Sequence, residues 1–283
     1  MTTEIRNDAS LRGKIRAVSK KHGLRPQEVL NMYLFEHLLL RLSNSDYADK
    51  FVLKGGLLIA AITGMARRTT MDMDTTVHGM DMDEESVSRV VRDICAVKVG
   101  DGMEYAFERI APIREDDEYA NWRAHIRVRY GRIDAPIKLD ITTGDTITPR
   151  EVEFAYPLMF DGGTVSVLSY PLVTILAEKL EAVVSRGSGN TRGRDFYDIF
   201  MFMRAKRDSI DAEQLKLAVS ATAGQRGSTA LLADYAARLE EVRRSKAMLQ
   251  SWERYVADTP YAQGIGFDEV VDAALELGAI AIG

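Results

Sequence analysis

The chain has 283 residues, of which 46% are hydrophobic and 28% are charged. This composition is typical of a soluble globular protein and excludes a disordered or fibrous one. The formal net charge is −5, so contact with nucleic acid would depend on local basic clusters. The alternative is that these clusters are simply solvated parts of the surface. Two such clusters are Lys14, Arg16, Lys20, Lys21 and Arg25, and Arg123, Arg127, Arg129 and Arg132.

Cysteine content and hydropathy indicate the compartment. Cys95 is the single cysteine, which excludes an internal disulfide and fits a reducing cytosol. The first eight residues are polar, and apolar runs such as residues 57–62 are shorter than the ~20 residues of a membrane helix. We therefore expect a cytoplasmic protein without a membrane partner.

Four elements are predicted before residue 65: two helices, a short strand and a third helix. Gly23 suits the end of the first helix, and Pro26 suits the first turn of the second. The predicted ranges are 9–22, 26–43, 51–53 and 57–63.

From residue 71 to 168 the hydrophobic period changes to two, which indicates strands with one buried and one polar face. The predicted strands lie near 71–75, 126–130, 137–141 and 164–168, with one helix near 83–97.

Beyond Pro171 the pattern is helical, apart from a glycine-rich loop at 187–193. The helices are predicted at 171–186, 194–206, 211–222, 228–243, 245–257 and 267–279. A domain boundary is therefore expected near residue 170, between an α/β domain (1–170) and an α-helical domain (171–283).

Three aspartates form a candidate metal site. Asp72 and Asp74 lie two apart on a predicted strand, so both carboxylates project from the same face. Asp140 is the polar residue of another strand whose alternate residues are apolar. Three carboxylates suit Mg²⁺, and two such ions can clamp the attacking and leaving oxygens of a phosphoryl displacement. The Asp-x-Asp pair is also common on exposed strand faces.

A second candidate feature is the segment Lys54-Gly55-Gly56 between a strand and a helix. Glycines at that position let backbone N–H groups approach a phosphate at a helix N-terminus, and Lys54 adds positive charge. A glycine pair alone often marks only a turn. Here a strand, the glycine pair, a short helix and the Asp-x-Asp strand follow one another, and this order favours nucleotide binding.

The helical half carries a third polar cluster. Lys179 falls on the apolar stripe of its helix, where a lysine needs a partner, and it could reach an NTP phosphate. Asp195 and Asp198 lie three apart on one face of the next helix, which is apolar nearly all round. A buried Lys–Asp pair joining two helices is the structural alternative. The cations that flank the glycine loop, and that could bind a triphosphate, are Arg186, Arg192 and Arg194.

Other enzyme classes lack their motifs. No Gly-x-Ser-x-Gly elbow is present, the four histidines are scattered, and no Gly-Lys-Ser/Thr follows the glycine loop.

Several short segments together resemble the AbiEii-type nucleotidyltransferases, toxins of type IV abortive-infection toxin–antitoxin systems within the DNA polymerase beta-like superfamily. The segments run in the family order across residues 30–205. They are FVLKGG at 51–56, RRTTMDMD at 67–74, KLDI at 138–141 with Gly144-Asp145, AEKL at 177–180 and RDFYD at 194–198.

The resemblance implies a fold and an activity. The fold is an α/β nucleotidyltransferase core, a mixed sheet with flanking helices, followed by a helical domain that contributes to the active-site cleft. The activity is transfer of a nucleotide from an NTP to RNA, plausibly a tRNA 3′ end, by a phage-defence toxin with a cognate antitoxin. The expected cofactor is a pair of Mg²⁺ ions, for which Mn²⁺ can substitute. The alternatives are a protein hydroxyl as the acceptor, or a non-catalytic nucleotide- or RNA-binding module.

The resemblance also implies residue roles. Asp72 and Asp74 match the metal-binding pair, and Thr70 the small hydroxyl residue before it. Lys179 matches the phosphate-binding lysine, and Asp195 or Asp198 the late acidic residue.

Overall fold

The computed structural model of the protein describes residues 5–113, 121–189 and 192–283. In this part of the chain, seven strands form one mixed sheet in the order β3-β4-β5-β2-β1-β7-β6. The strands are β1 (Phe51–Lys54), β2 (Met73–Val77), β3 (Glu104–Pro112), β4 (Trp122–Tyr130), β5 (Ile133–Thr142), β6 (Val152–Pro157) and β7 (Thr164–Ser169).

The described residues also form eleven α-helices. Four precede or interrupt the strands: α1 (Asp8–His22), α2 (Pro26–Ser43), α3 (Gly55–Thr63) and α4 (Glu84–Ala96). The others are α5 (Leu172–Arg186), α6 (Gly193–Lys206), α7 (Ala212–Gln225), α8 (Thr229–Ala233), α9 (Tyr235–Arg244), α10 (Lys246–Asp258) and α11 (Phe267–Ile282).

The chain divides into two compact units. The sheet unit comprises Met1–Asp145 and Val152–Ser169, and the helical unit comprises Thr146–Glu151 and Tyr170–Gly283. The short segment Thr146–Glu151 therefore belongs to the helical unit although it lies between two strands in sequence. Within that unit, the Thr174 hydroxyl donates to the Thr148 carbonyl at 2.9 Å and accepts from the Thr148 N–H at 3.0 Å.

The centre of the sheet positions the candidate carboxylates. β2 lies between β1, to which it is antiparallel, and β5, to which it is parallel. The buried face of β5 carries Ile137, Leu139 and Ile141, which supply the apolar alternation seen in the sequence. α2 is buried on most sides, including Leu34, because it packs within this unit.

The helical unit is built around α6. Its apolar side chains point in nearly all directions and are buried, as with Phe196, Ile199 and Phe202. α6 packs against α5 and α11, so both of its flanks are covered.

Several predicted boundaries and elements differ from the structure. β2 begins at Met73, so Asp72 precedes the strand instead of lying within it. α3 begins at Gly55, two residues earlier than predicted. The glycine-rich segment is shorter than predicted, since Gly193 begins α6. The helix predicted at 228–243 is two helices, α8 and α9, separated at Asp234.

The sequence prediction omits two strands, β3 and β6, for one physical reason. Both are edge strands of the sheet. β6 has a single buried residue, Tyr156, and β3 has an irregular register between Phe107 and Arg109. Edge strands are partly solvated, so their side chains need not alternate between apolar and polar.

Among the helices of the described residues, none combines the length and apolar character needed to cross a membrane.

Candidate functional site

A row of four charged residues crosses the middle of the sheet. Lys54 on β1 is opposite Asp74 on β2, Asp74 is opposite Asp140 on β5, and Asp140 is opposite Arg123 on β4. Directly opposite residues on neighbouring strands project from the same face. The order of charges along the row is therefore positive, negative, negative, positive.

Asp72 completes a cluster of three carboxylates. One oxygen from each of Asp72, Asp74 and Asp140 lies within 4.8 Å of the others. The Thr70 hydroxyl donates to Asp72 Oδ1 at 2.8 Å, which fixes the orientation of that carboxylate. Three hard oxygen donors at this separation are a set that could hold a divalent cation.

The electrostatics of Asp74 reflect this crowding. Burial, followed by the charges of Asp72 and Asp140, raises the pKa of Asp74 to about 6. Lys54 and the backbone N–H of Gly56, which donates to the carboxylate, act in the opposite direction. The repulsion shows that the protein groups alone do not neutralise this cluster.

The two glycines give the carboxylates room. A Cβ on Gly55 would lie 2.0 Å from Asp74 Oδ2, and Gly55 also has a φ of +65°. A Cβ on Gly56 would lie 2.7 Å from the Thr70 hydroxyl oxygen. The glycines therefore let Asp74 and Thr70 pack against the start of α3, where a helix N-terminus favours negative charge.

Lys54, which the sequence assigned to nucleotide binding, has close partners in the sheet unit. Its ammonium donates to Thr142 Oγ1 at 2.7 Å and also forms an ion pair with Asp145. The Thr142 hydroxyl donates to the same Asp145 carboxylate at 2.7 Å. These contacts hold the cation at the end of the charged row.

Sequence reasoning did not assign three groups beside the cluster. Arg123 forms a bidentate pair with Asp140, at 2.7 Å from Nε and 2.6 Å from Nη2. Asp145 holds Lys54, and Arg68 is buried with Nη2 beside Gly56. A signal existed for Arg68 and Asp145, which lie in the family-like segments at 67–74 and 144–145. None existed for Arg123, because its partner depends on the strand register.

The helical unit contains the second predicted cluster. Lys179 Nζ lies 2.6 Å from Asp195 Oδ1 and 3.0 Å from Asp198 Oδ2, so one lysine joins α5 to α6. Arg186 lies 3.4 Å from the other oxygen of Asp195. Both aspartates are buried, and Lys179 is mostly buried. The structure thus brings these four residues together, as an ion-pair network.

The remaining two predicted residues, Arg192 and Arg194, are exposed at the start of α6.

The comparison with protein families decides the classification. Residues 37–275 match the family described as "Nucleotidyl transferase AbiEii toxin, Type IV TA system". The chain belongs to this family. Membership makes it a nucleotidyltransferase of a type IV toxin–antitoxin system and implies a nucleotide substrate and an antitoxin partner. The family resemblance drawn from the sequence motifs is therefore confirmed.

Solved structures show the same fold as this AbiEii-family chain. A putative nucleotidyltransferase from Helicobacter pylori has 16% sequence identity and a TM-score of 0.52, covering 91% of this chain and 94% of its own. JHP933 from Helicobacter pylori has the same identity and TM-score, with 91% coverage of each chain. They confirm the predicted mixed sheet with flanking helices followed by a helical region. A comparison with curated proteins gives no match.

Proposed function

We propose that this AbiEii-family chain transfers a nucleotide from an NTP to an RNA acceptor, with a tRNA 3′ end as the substrate. The observation that carries the proposal is the convergence of Asp72, Asp74 and Asp140 within 4.8 Å at the sheet centre. These carboxylates would hold Mg²⁺ as a two-metal site, and Mn²⁺ would substitute because it also takes oxygen ligands.

The reaction is an in-line displacement. The acceptor hydroxyl loses its proton to solvent, and its oxygen forms a bond to the α-phosphorus of the NTP. The bond between the α-phosphorus and the oxygen that bridges to the β-phosphate breaks, and pyrophosphate leaves with that electron pair. When bound, Mg²⁺ would neutralise phosphate charge and favour the deprotonated hydroxyl. Thr70 orients Asp72, and the absence of a side chain at Gly55 leaves room for Asp74, which is opposite Asp140.

We assign the NTP phosphates to cationic groups and to the α3 N-terminus. Helix N-termini and cations stabilise phosphate. In this assignment Asp195 and Asp198 orient the Lys179 ammonium, which both contact. The assigned groups are Lys54, Gly55, Gly56, Thr70, Lys179, Arg186, Arg192 and Arg194.

The basic clusters differ in how they could bind RNA. On β4, Arg127 is paired with Glu108 at 2.8 Å and with Asp134 at 3.2 Å, so its charge is already compensated. On α1, Arg16 and Lys20 are exposed. Phosphate contacts therefore suit α1 better than the paired arginines of β4.

The test is nucleotide transfer by the 283-residue chain. Each labelled NTP is incubated with Mg²⁺ and total RNA, and the products are separated on a denaturing gel. Asp72→Asn should lower transfer by more than about 100-fold, since even changes behind a metal ligand cost ~10–100-fold in affinity or activity. Asp81→Asn, a matched change at an exposed aspartate, should leave transfer unchanged.

Growth of a bacterial host gives a second readout. Extension of tRNA 3′ ends would block aminoacylation, so wild-type expression should arrest growth, and expression of the Asp72→Asn variant should not. Full transfer activity in Asp72→Asn would refute the metal-site assignment. Label found on protein would instead identify a protein hydroxyl as the acceptor, and NTP binding without transfer would identify a non-catalytic module.

A further inference from the structure

Strand β5 has a free edge next to the carboxylate cluster. It pairs with β4 along its whole length, but its pairing with β2 begins only at Leu139, opposite Met73. Among the described residues, no strand pairs with residues 133–138 on the β2 side. Backbone groups at such an edge are available to a ligand.

An open cleft of about 580 Å³ lies along this edge, and we call it the edge cleft. Its volume is within the ~300–1,000 Å³ of typical ligand sites. One wall is the first half of β5, with Pro136 and Lys138, and the other is α2, with Gln27 and Asn31. Met71, the residue before Asp72, also lines the cleft.

A buried amide lies at the base of the edge cleft. Asn31 is 3% exposed, and its Oδ1 accepts from Gln27 Nε2 at 2.7 Å. The acceptor for its Nδ2 in the described chain is the Met71 sulfur at 3.6 Å. A thioether is a weak acceptor, and the Met71 side chain is 46% exposed. A ligand that displaces Met71 would therefore meet an amide donor in need of a better acceptor.

The charges of the edge cleft favour an anionic ligand. Arg12 is paired with Asp8 at 3.1 Å, and Asp134 is paired with Arg127. Arg132 and Lys138 are exposed, and neither side chain forms an ion pair with another described residue. Two uncompensated cations therefore remain along the wall.

The edge cleft lies next to the carboxylate cluster along β5. Lys138 and Asp140 are two residues apart on β5, so they share a face and their Cα atoms are separated by about 7 Å. A ligand that places an anionic group on Lys138 can thus place its next unit at Asp140.

We propose that the edge cleft binds the single-stranded 3′ end of the acceptor polynucleotide, with phosphates on Arg132 and Lys138 and a nucleobase that displaces the Met71 side chain and accepts from the Asn31 amide. This inference rests on the proposed function and assigns the acceptor side of the same site. A single strand fits because its base edges are free to meet the amide and the strand edge. A peptide could add a strand to the same edge, but the uncompensated cations and the adjacent carboxylate cluster favour a polynucleotide.

The test measures binding, so it does not require turnover. The probe is a labelled single-stranded RNA hexamer with a 3′-hydroxyl. Its anisotropy is followed as the 283-residue chain is added, over a range of salt concentrations. Arg132→Ala/Lys138→Ala should weaken binding about ten-fold and reduce the slope of log affinity against log salt by about 1.4, or ~0.7 for each phosphate that the variant no longer neutralises. Lys98→Ala, an exposed cation elsewhere in the sheet unit, is the control and should change neither.

Crosslinking gives an independent readout. A 4-thiouridine at the 3′ end should crosslink to a peptide that contains Met71 or residues 133–138. Equal binding by the double variant and by wild type, or a crosslink confined to other peptides, would overturn the edge-cleft proposal.

The outcome is separable from failure of the proposed function. If wild type transfers nucleotide to RNA but the double variant binds RNA normally, only the cleft assignment fails. If the double variant loses RNA binding but wild type transfers nothing, the cleft assignment holds and the proposed function fails.

Discussion

The two acidic clusters of this protein contain similar groups in opposite arrangements. In the helical unit, Lys179 lies between Asp195 and Asp198, so the cation is at the centre. In the sheet unit, Asp74 and Asp140 are at the centre of the row and the cations are at its ends. The first cluster is complete in the protein itself, whereas the second leaves room for a cation between its carboxylates.

The largest expected effect is on the central lysine of the helical unit. Lys179→Met leaves the carboxylates of Asp195 and Asp198 buried without the lysine ammonium that both contact. The free energy of unfolding should therefore fall by about 3 kcal/mol. Urea unfolding measures this. Lys216→Met, which removes an exposed lysine paired with Glu213 at 3.6 Å, is the control and should cost less than ~1 kcal/mol.

A double variant separates the stabilising role of Lys179 from its proposed role toward NTP. Lys179→Met/Asp198→Leu replaces the pair by apolar side chains and leaves Arg186 for Asp195, so most of the lost stability should return. NTP affinity should stay low if Lys179 binds phosphate. Wild-type affinity in this double variant would reduce Lys179 to a structural role.

The sheet cluster should respond in the opposite direction. Asp74→Asn removes a negative charge that is buried and is also repelled by two other carboxylates, so in EDTA at pH 7.5 it should raise the unfolding free energy by about 1 kcal/mol, or roughly 2–4 °C in melting temperature.

The pH dependence of this effect follows from the raised pKa of Asp74, about 6 against 3.8 for an ordinary aspartate. A raised folded-state pKa means that stability is present at low pH and is lost as the pH rises through 6. The loss spans the range between these two pKa values, so the advantage of Asp74→Asn should fall to about half at pH 5 and approach zero only below pH 3.8. An equal advantage at both pH values would contradict the charge of Asp74 as its cause.

The smallest effect is expected at the end of the charged row. Arg123→Ala removes a positive charge that holds Asp140, so Mn²⁺ should bind roughly five-fold more tightly, or by about 1 kcal/mol. Titration calorimetry measures the affinity. Arg129→Ala, on the same strand but paired with Asp134 at 3.6 Å, should change it little. Weaker binding in Arg123→Ala would show that the arginine orients Asp140 instead of competing for it.

The sequence predicted those elements whose signals are local. α2 begins at Pro26 as predicted, because proline is suited to a first helical turn. β5 was found from its buried alternation. The break at Asp234 has no proline or glycine signal. It lies before Tyr235, which packs so closely on Gly278 that a Cβ there would be 2.4 Å from the ring.

The candidate site was predictable in its composition and not in its pairing. The polar positions of Asp74 and Asp140 could be read from strand periodicity, whereas Asp72 joins the cluster from the residues just before β2. The pairing of Arg123 with Asp140 depends on which strands are neighbours and in what register, which no single strand encodes. The close approach of Asp74 to Gly55 is likewise a tertiary contact, so the sequence pattern suggested only a phosphate loop.

The path of the chain restricts how the protein can be divided for separate expression. A fragment that ends at residue 169 would carry Thr146–Glu151 without the residues that hold it, and a fragment that starts at 170 would lack it. The Thr174 hydroxyl would then be without both of its hydrogen bonds to Thr148. We expect the helical unit to fold on its own only if residues 146–151 are included in the fragment and joined to residue 170 by a new linker.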